Sequence, residues 1–416
     1  MTLSYIEILS AVCVMAAVAI KSTVEYVIRG PRLPTWTLKH QMRRDMIYAL
    51  VSRTVPPIYD DTQLDSIDVY AYAASSQRKA LPPVTLSPEQ GIYRTVQIAV
   101  NSVSLDTLTL DNIGVAKQRL LALIESDKKQ QHDSGRMIGS ELVVANSAIR
   151  ALEQHADSGH ESMLACAPLH RKEQILLHFH GGGFIVGKAA AYRRVLAKMS
   201  EDCSARVLSV DYRLAPVHPF PAQIHDVLVA YKHLLQTGFL PENIVLVGDS
   251  AGATLCLALS CLLRDSGMPL PSSLILLSPW CNLVDAHPST RQNKHFDYLT
   301  VRPLESPISY ARLYYNPGQP LTPQMVQEMR DPLVSPAFAD LRGLPPMLIQ
   351  AGDKELLIDE IEDLVEKIKS QNPERSDAVV FERYEDMFHV FQTMLDFDQS
   401  IKAFASIADF TQALKL

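Results

Sequence analysis

The 416-residue chain reads as an α/β protein with a mainly parallel central sheet covered by helices on both faces. Three observations carry that expectation. From residue 174 onward, short apolar runs alternate with stretches of helical spacing. Those runs are apolar at consecutive positions rather than at alternate ones, the pattern of strands covered on both sides. The segments that hold candidate chemistry follow the ends of these runs, and open parallel sheets bind ligands at the carboxyl ends of their strands.

Taken in order, the chain divides into three parts. Within residues 3–20 a single charge, Glu7, interrupts an apolar run that stops at Lys21. Eighteen helical residues rise about 27 Å, close to the ~30 Å hydrocarbon thickness of a bilayer. Residues 1–22 are therefore expected to be an N-terminal membrane anchor, with a surface-lying or buried amphipathic helix as the alternative. No Lys or Arg precedes the run, which argues against a cleaved signal peptide. Lys21, Arg29, Arg32, Lys39, Arg43 and Arg44 follow it, and the positive-inside rule would keep that side cytosolic. No N-x-S/T sequon occurs in the chain to argue for a lumenal body.

Residues 23–165 are expected to form a juxtamembrane segment and an N-terminal cap or edge-strand region. A helix is placed near 37–52, a strand over 95–105, a helix over 115–126 and a polar loop over 127–139. Residues 141–154 fit a helix or a strand. The third part, 166–416, holds strands at 174–179, 206–211, 243–248, 273–278, 346–351 and 378–384. Helices lie near 190–203, 223–236, 251–265, 358–370 and 396–413. About sixty residues, 282–343, separate two of the strands and are rich in proline and tyrosine. This length reads as an insertion above the sheet that contributes to a cap.

Composition excludes several function classes. A net charge of −7 and a pI near 6.0 leave no electrostatic footprint for nucleic acid. The six cysteines show no C-x-x-C spacing, so neither a zinc site nor a disulfide framework is expected. Buried thiols are the reading for those inside apolar runs.

Two motifs propose covalent acyl-transfer chemistry. Gly248-Asp249-Ser250-Ala251-Gly252 has the G-x-S-x-G form of a nucleophile elbow, between an apolar strand and an apolar helix. Small residues at 248 and 252 leave room for a tight strand-to-helix turn, and the helix N-terminus directs its dipole toward a developing anion. His180-Gly181-Gly182-Gly183-Phe184 follows the strand at 174–179. Its glycines let backbone N–H groups approach a substrate, so Gly182, Gly183 and Ala251 are the candidate oxyanion donors. His178 and His180 lie two apart on a strand, but no third ligand stands near to complete a metal site. His180 is expected to support the loop instead.

A serine nucleophile in this arrangement needs an acid and then a histidine downstream. His389 lies just beyond the last strand and is the candidate base. The strand at 346–351 runs into Asp353, Glu355 and Asp359, and spacing alone leaves the acid open among them.

HGGGF, DYRLAP (211–216), HPFPA (218–222), GDSAG, SPW (278–280), LPP (344–346) and FHVF (388–391) together resemble the hormone-sensitive-lipase-like group of α/β-hydrolases. The resemblance spans about residues 170–415 and implies an α/β-hydrolase fold acting on carboxylic esters. Members place their acid nine residues after the LPP segment, in a D-P-L-x-D-like pattern. The same count from Pro346 lands on Glu355, with Leu357 and Asp359 at the leucine and second aspartate of that pattern, and Asp353 is kept as the alternative acid. The chain departs from the family at this glutamate, where members more commonly carry aspartate, and at Ala253 and Asp386, where they often carry glycine. Asp211 and Arg213 are expected to brace the glycine loop through charge-assisted hydrogen bonds.

The resemblance therefore implies a serine carboxylesterase or lipase with a Ser250–His389–Glu355 triad and neither metal nor organic cofactor. Its substrate would be a small to medium lipophilic ester. A membrane-anchored deacetylase of acetylated sterols or similar esters, on the endoplasmic reticulum or another internal membrane, is the alternative. A reading of another class is a non-catalytic ligand receptor on the same fold, which would lack the base histidine.

Overall fold

The computed structural model describes residues 5–54, 68–78, 83–100, 114–129, 135–153, 160–300, 302–375 and 377–414; side chains of residues 5–12 and of a few others at segment edges lie outside the description. Eight strands form one sheet: β1 (Gly91–Ala99), β2 (Met137–Ala145), β3 (Ile175–Phe179), β4 (Arg206–Val210), β5 (Ile244–Asp249), β6 (Ser273–Leu277), β7 (Met347–Gly352) and β8 (Val379–Tyr384). Their order is β1-β2-β4-β3-β5-β6-β7-β8. The β1–β2 and β2–β4 pairings are antiparallel, and every pairing from β4 across to β8 is parallel.

The longer helices are α1 (Tyr5–Arg29), α2 (Leu38–Thr54), α3 (Val115–Lys129), α4 (Ala189–Cys203), α5 (Ala222–Gln236), α6 (Ala251–Asp265), α7 (Ile358–Gln371) and α8 (Asp398–Ala413). The two-residue period of the strands divides them between the faces. Leu177, Leu208, Leu246, Leu276 and Ile349 point into one cluster with α3, α5, α6 and α7. Leu176, Val207, Val245, Ile275 and Leu348 point the other way, against Leu196 and Met199 of α4 and Phe404 and Ile407 of α8. Both faces are dry, which is why these strands read as unbroken apolar runs. At the start of β3 and β4, the fully buried Arg206 holds Glu173 through two bonds of 2.6 and 2.9 Å.

The six strands expected beyond residue 173 all lie within a residue of their predicted bounds. The region before it differs more. Its first strand begins at Gly91, earlier than expected, and ends at Ala99; residues 101–105 of the predicted strand lie outside the described residues. The ambiguous 141–154 stretch is both kinds of structure: β2 runs to Ala145 and a helix occupies Asn146–Glu153. The expected loop 127–139 is shortened from both ends, because α3 continues to Lys129 and β2 starts at Met137. Of the expected anchor, residues 1–4 lie outside the described residues. Among the described residues, no helix is long and apolar enough to cross a membrane.

Between β6 and β7, the described residues of 282–343 carry short helices, Ser289–Gln292, Tyr310–Tyr315 and Pro323–Met329, and a 3₁₀ turn at Pro336–Phe338. The Ser309 and Thr322 hydroxyls cap the last two helices by accepting the N–H groups of Arg312 and Met325.

Candidate active site

The loops after β3, β5, β7 and β8 all leave the same edge of the sheet, as parallel strands require, and each brings one candidate group. Ser250 occupies the turn between β5 and α6 with φ +52° and ψ −119°. This conformation costs a non-glycine residue about 1–3 kcal/mol and persists only where its surroundings impose it. Here the Ser250 N–H donates to the Leu277 carbonyl at 2.9 Å, and the Ser250 carbonyl accepts from Ala253 at 3.1 Å and Trp280 at 3.3 Å. Gly252 then has to be glycine, since a Cβ there would run into the Phe179 carbonyl oxygen.

Gly182 (φ +110°) turns the loop after β3 back on itself, and its carbonyl accepts from Ile185 and Val186, each at 3.1 Å. The N–H groups of Gly182, Gly183 and Ala251 have no protein acceptor among the described residues, so all three remain available to an oxyanion. Asp249, inside the elbow motif, fastens this loop to the nucleophile. It accepts the Gly181 N–H at 3.0 Å and the Tyr192 hydroxyl at 2.9 Å, with His178 Nε2 at 3.5 Å.

His180 stacks on Tyr212, with ring centroids 4.3 Å apart, and the Tyr212 hydroxyl donates to the His180 carbonyl at 2.6 Å. Burial holds the His180 imidazole down at about 4, against the pull of the Gly181 carbonyl, so it is neutral at physiological pH. Asp211 lies at the far end of this loop and accepts the Ala189 N–H at the start of α4, 2.6 Å away. Arg213 is placed elsewhere. Its guanidinium joins Asp226 and Asp127 at 3.0 Å each, in a network with Arg136 and His225. The expected arginine brace of the glycine loop is thus replaced by Asp249 and Tyr192.

The base and acid meet beyond β7 and β8. His389 is buried, and its Nδ1 lies 3.8 Å from Glu355 Oε1. That separation is a charge contact rather than a hydrogen bond; such contacts often tighten when substrate binds. Neither atom has another hydrogen-bond partner among the described residues. Glu355 Oε2 is held by the Ser278 hydroxyl at 2.7 Å and the Gly352 N–H at 3.1 Å. Ser278 Oγ also accepts the Val390 N–H at 3.0 Å, so one hydroxyl links the acid to the loop of the base. Burial opposes charging of His389, but the Glu355 carboxylate, with Asp297 and Asp249 behind it, outweighs burial and holds the imidazole above its ordinary range.

The other two candidate acids, Asp353 and Asp359, are engaged elsewhere. Asp353 accepts the Asp386 N–H at 2.6 Å and pairs with Lys354 at 3.0 Å. Asp359 accepts the Ser289 N–H at 2.8 Å. Among the described residues no group of His, Cys, Asp and Glu side chains could hold a metal ion; His178 Nδ1 is occupied by Ser209 Oγ at 2.9 Å.

Besides Asp297, three contributors escaped the sequence reading. Asp249 sat inside a quoted motif, and the polar residue beside the nucleophile was the available signal. Ser278 is the first residue after β6 and also lay in a quoted motif. In the N-terminal segment, read only as part of a cap region, no motif marks Thr35, Trp36 or Arg44 as a partner of the base's loop. Trp36 Nε1 donates to the Asp386 carbonyl at 2.6 Å, Thr35 Oγ1 donates to Asp386 Oδ2 at 2.6 Å, and Arg44 donates to the Asp297 carbonyl at 2.6 Å.

A family model described as alpha/beta hydrolase fold matches residues 176–393, more than half of the chain. An "Esterase" from Acinetobacter venetianus is 37% identical over 247 residues, covering 58% of this chain and 76% of the relative. An "Acetyl-hydrolase" from Streptomyces hygroscopicus is 35% identical over 238 residues, covering 56% and 73%. Among solved structures, an esterase from the bacterial hormone-sensitive lipase family superposes with a TM-score of 0.60 at 26% identity, over 89% of this chain and 98% of that one. Together with the sheet order and the serine turn at the end of β5, these matches show that the chain belongs to the hormone-sensitive-lipase-like branch of the α/β-hydrolase fold family.

Proposed function

We propose that the carboxylic ester hydrolase activity of this chain runs through Ser250 as nucleophile, His389 as general base and Glu355 as the acid that orients it. The observation that carries this is the approach of Glu355 Oε1 to His389 Nδ1, with Asp353 turned to Asp386 instead. His389 takes the Ser250 hydroxyl proton as Oγ attacks the ester carbonyl carbon, and the N–H groups of Gly182, Gly183 and Ala251 receive the oxyanion. Collapse of the tetrahedral adduct breaks the bond to the alkoxy oxygen, which leaves as the alcohol with the proton from His389. Water, deprotonated by the same imidazole, then hydrolyses the acyl-enzyme. No step calls for a metal or an organic cofactor. A non-catalytic receptor would have no use for a buried base paired with a buried acid.

The substrate reading is a small to medium lipophilic ester. The similarity to a protein named acetyl-hydrolase supports a short acyl group. Residues 282–343 and the N-terminal region would together cap the pocket, a role consistent with the contacts of Trp36 and Arg44 over the base. Membrane association through residues 3–20 belongs to the same reading. Its support is the apolar run itself and, from its end onward in α1, the exposed Ile20, Val24, Val27 and Ile28, whose spacing puts them on one side of the helix. A deacetylase of acetylated sterols or similar lipophilic esters would gain most from such placement, on an internal membrane such as the endoplasmic reticulum.

Hydrolysis of p-nitrophenyl esters from acetyl to palmitoyl, by the full chain and by Ser250→Ala, tests the chemistry. We expect the highest kcat/KM on the short chains and a loss of about 10⁶-fold in kcat for the variant. Equal rates for the two proteins would overturn the triad. Flotation with liposomes, with and without residues 1–20, tests the membrane reading; recovery in the same fraction for both would end it.

A further inference from the structure

We propose that Asp297 is a positioning residue of the catalytic base: its buried carboxylate ties the backbone of His389 to the loop of Glu355 and presents a second anion to the imidazole. The proposal rests on the triad reading above.

Asp297 belongs to the 282–343 segment, far in sequence from either group it touches, and its side chain is fully buried. Its carboxylate accepts four backbone N–H groups from three segments. Oδ1 receives those of Tyr298 at 2.6 Å, Leu299 at 3.3 Å and His389 at 3.4 Å, and Oδ2 receives that of Leu356 at 2.7 Å. Two of these donors are informative: one belongs to the base itself, the other to the residue that follows the acid. One rigid carboxylate therefore helps to set the spacing of Glu355 and His389. The Asp297 carbonyl is in turn held by Arg44 of α2 at 2.6 Å.

The charge has a use that backbone bracing alone does not explain. A buried anion is costly, and neutral acceptors can cap N–H groups at lower cost. Around His389 the charged and titratable groups are Glu355 from the β7–α7 loop, Asp249 from the end of β5, and Asp297 with the phenol of Tyr298 from the insertion. Arg44 is the cation that faces Asp297 from α2. In this set the imidazole faces three carboxylates. When His389 takes the serine proton, the new imidazolium meets fixed negative charge already in place, which lowers the barrier without reorganisation. Burial lifts the Asp297 carboxyl above its ordinary range, and the imidazole of His389 works in the opposite direction. The two groups thus favour each other's charged form.

The test uses the full chain with Asp297→Asn and Asp297→Glu, read by kcat, KM and the pH profile of kcat/KM on p-nitrophenyl acetate, with Tm as the folding control. For Asp297→Asn we expect kcat to fall about 10–100-fold with little change in KM, the size of effect that misplaced reacting groups produce. The acid limb should move to lower pH, because an anion that favours the imidazolium is gone. Asp297→Glu keeps the charge, so its acid limb should stay near that of the parent while kcat falls. A brace without an electrostatic role would leave the limb of Asp297→Asn in place, and that result overturns the proposal. If Asp297→Asn does not fold, a parental kcat in Asp297→Glu overturns it instead. Failure of the triad reading is separate, since it would appear as activity retained in Ser250→Ala.

Discussion

The nucleophile corner and the base corner of this site are held by different means. Ser250, the glycine loop and Asp249 come from the ends of adjacent strands, β3 and β5, and are fixed mainly by backbone geometry. A Cβ at position 252 would strike the Phe179 carbonyl, so the turn is set by what cannot fit there. His389 and Glu355 are fixed by side-chain hydrogen bonds that converge from much of the chain. Ser278, Asp297, Trp36 and Thr35 all contribute, the last two from about 350 positions away. Steric exclusion by close backbone approach is local and permits few sequences. Convergent hydrogen bonding permits many, and each of its members can be removed singly.

The largest effect that would sharpen this contrast separates the two carboxylates beside the base. Glu355→Gln removes the charge that faces His389 Nδ1 while keeping the volume, and we expect kcat to fall about 10³–10⁴-fold. Asp353→Asn touches only the Asp386 turn and Lys354, so its loss should stay within about tenfold, seen partly in Tm. Parallel pH profiles give a second reading. In the parent, the acid limb of kcat/KM should lie above the 6.5 of an unperturbed imidazole, because Glu355 and its neighbours raise His389 despite burial. The same raised value stabilises the fold most below pH 6.5, and this contribution fades as pH climbs through the folded-state value. If Asp353→Asn proved the more damaging variant, the acid would have to be reassigned and the base corner redrawn around Asp386.

The contrast also explains what the sequence disclosed. Strands buried on both faces have no polar alternation, so β3 through β7 stood out as apolar runs with bounds correct to a residue; β8, at the edge, is only partly buried. The antiparallel strands β1 and β2 gave weaker signals: β1, at the edge, keeps half-exposed and exposed positions through its middle, and β2 begins exposed and runs straight into a helix. Residues 146–153 take their helix from Ala148, Ile149 and Leu152 packing against Val144 and Met163, a tertiary preference that residue types alone leave open. In the site, the elbow and the glycine loop were legible because steric limits restrict which residues can stand there. Glu355 was legible only by its count from Pro346. Asp297 was not legible, since an aspartate within Phe296-Asp297-Tyr298 has nothing local to mark it as a ligand of two distant loops. Arg213 was assigned to the wrong partner for the same reason: charge type was readable, but Asp127 and Asp226 as its partners were not.

The smallest effect probes how far the base corner depends on the N-terminal segment. Asp386 sits at φ +57°, a left-handed position that glycine adopts freely, and an aspartate there carries a backbone cost. What it gains is the 2.6 Å bond from the Thr35 hydroxyl. Thr35→Val removes that bond at nearly constant shape and should cost about 1 kcal/mol of stability. Asp386→Gly removes the same bond but relieves the backbone, so its net cost should be smaller. In the double variant the Thr35→Val step should cost almost nothing, since its partner is already gone, and the difference between the two steps measures the coupling. Denaturant midpoints for the four proteins supply these numbers, and kcat for the same set should change less than about tenfold. Strict additivity would mean that the Thr35–Asp386 bond itself lends the histidine loop no support, leaving the hold of the N-terminal segment on the base corner to Trp36 and Arg44.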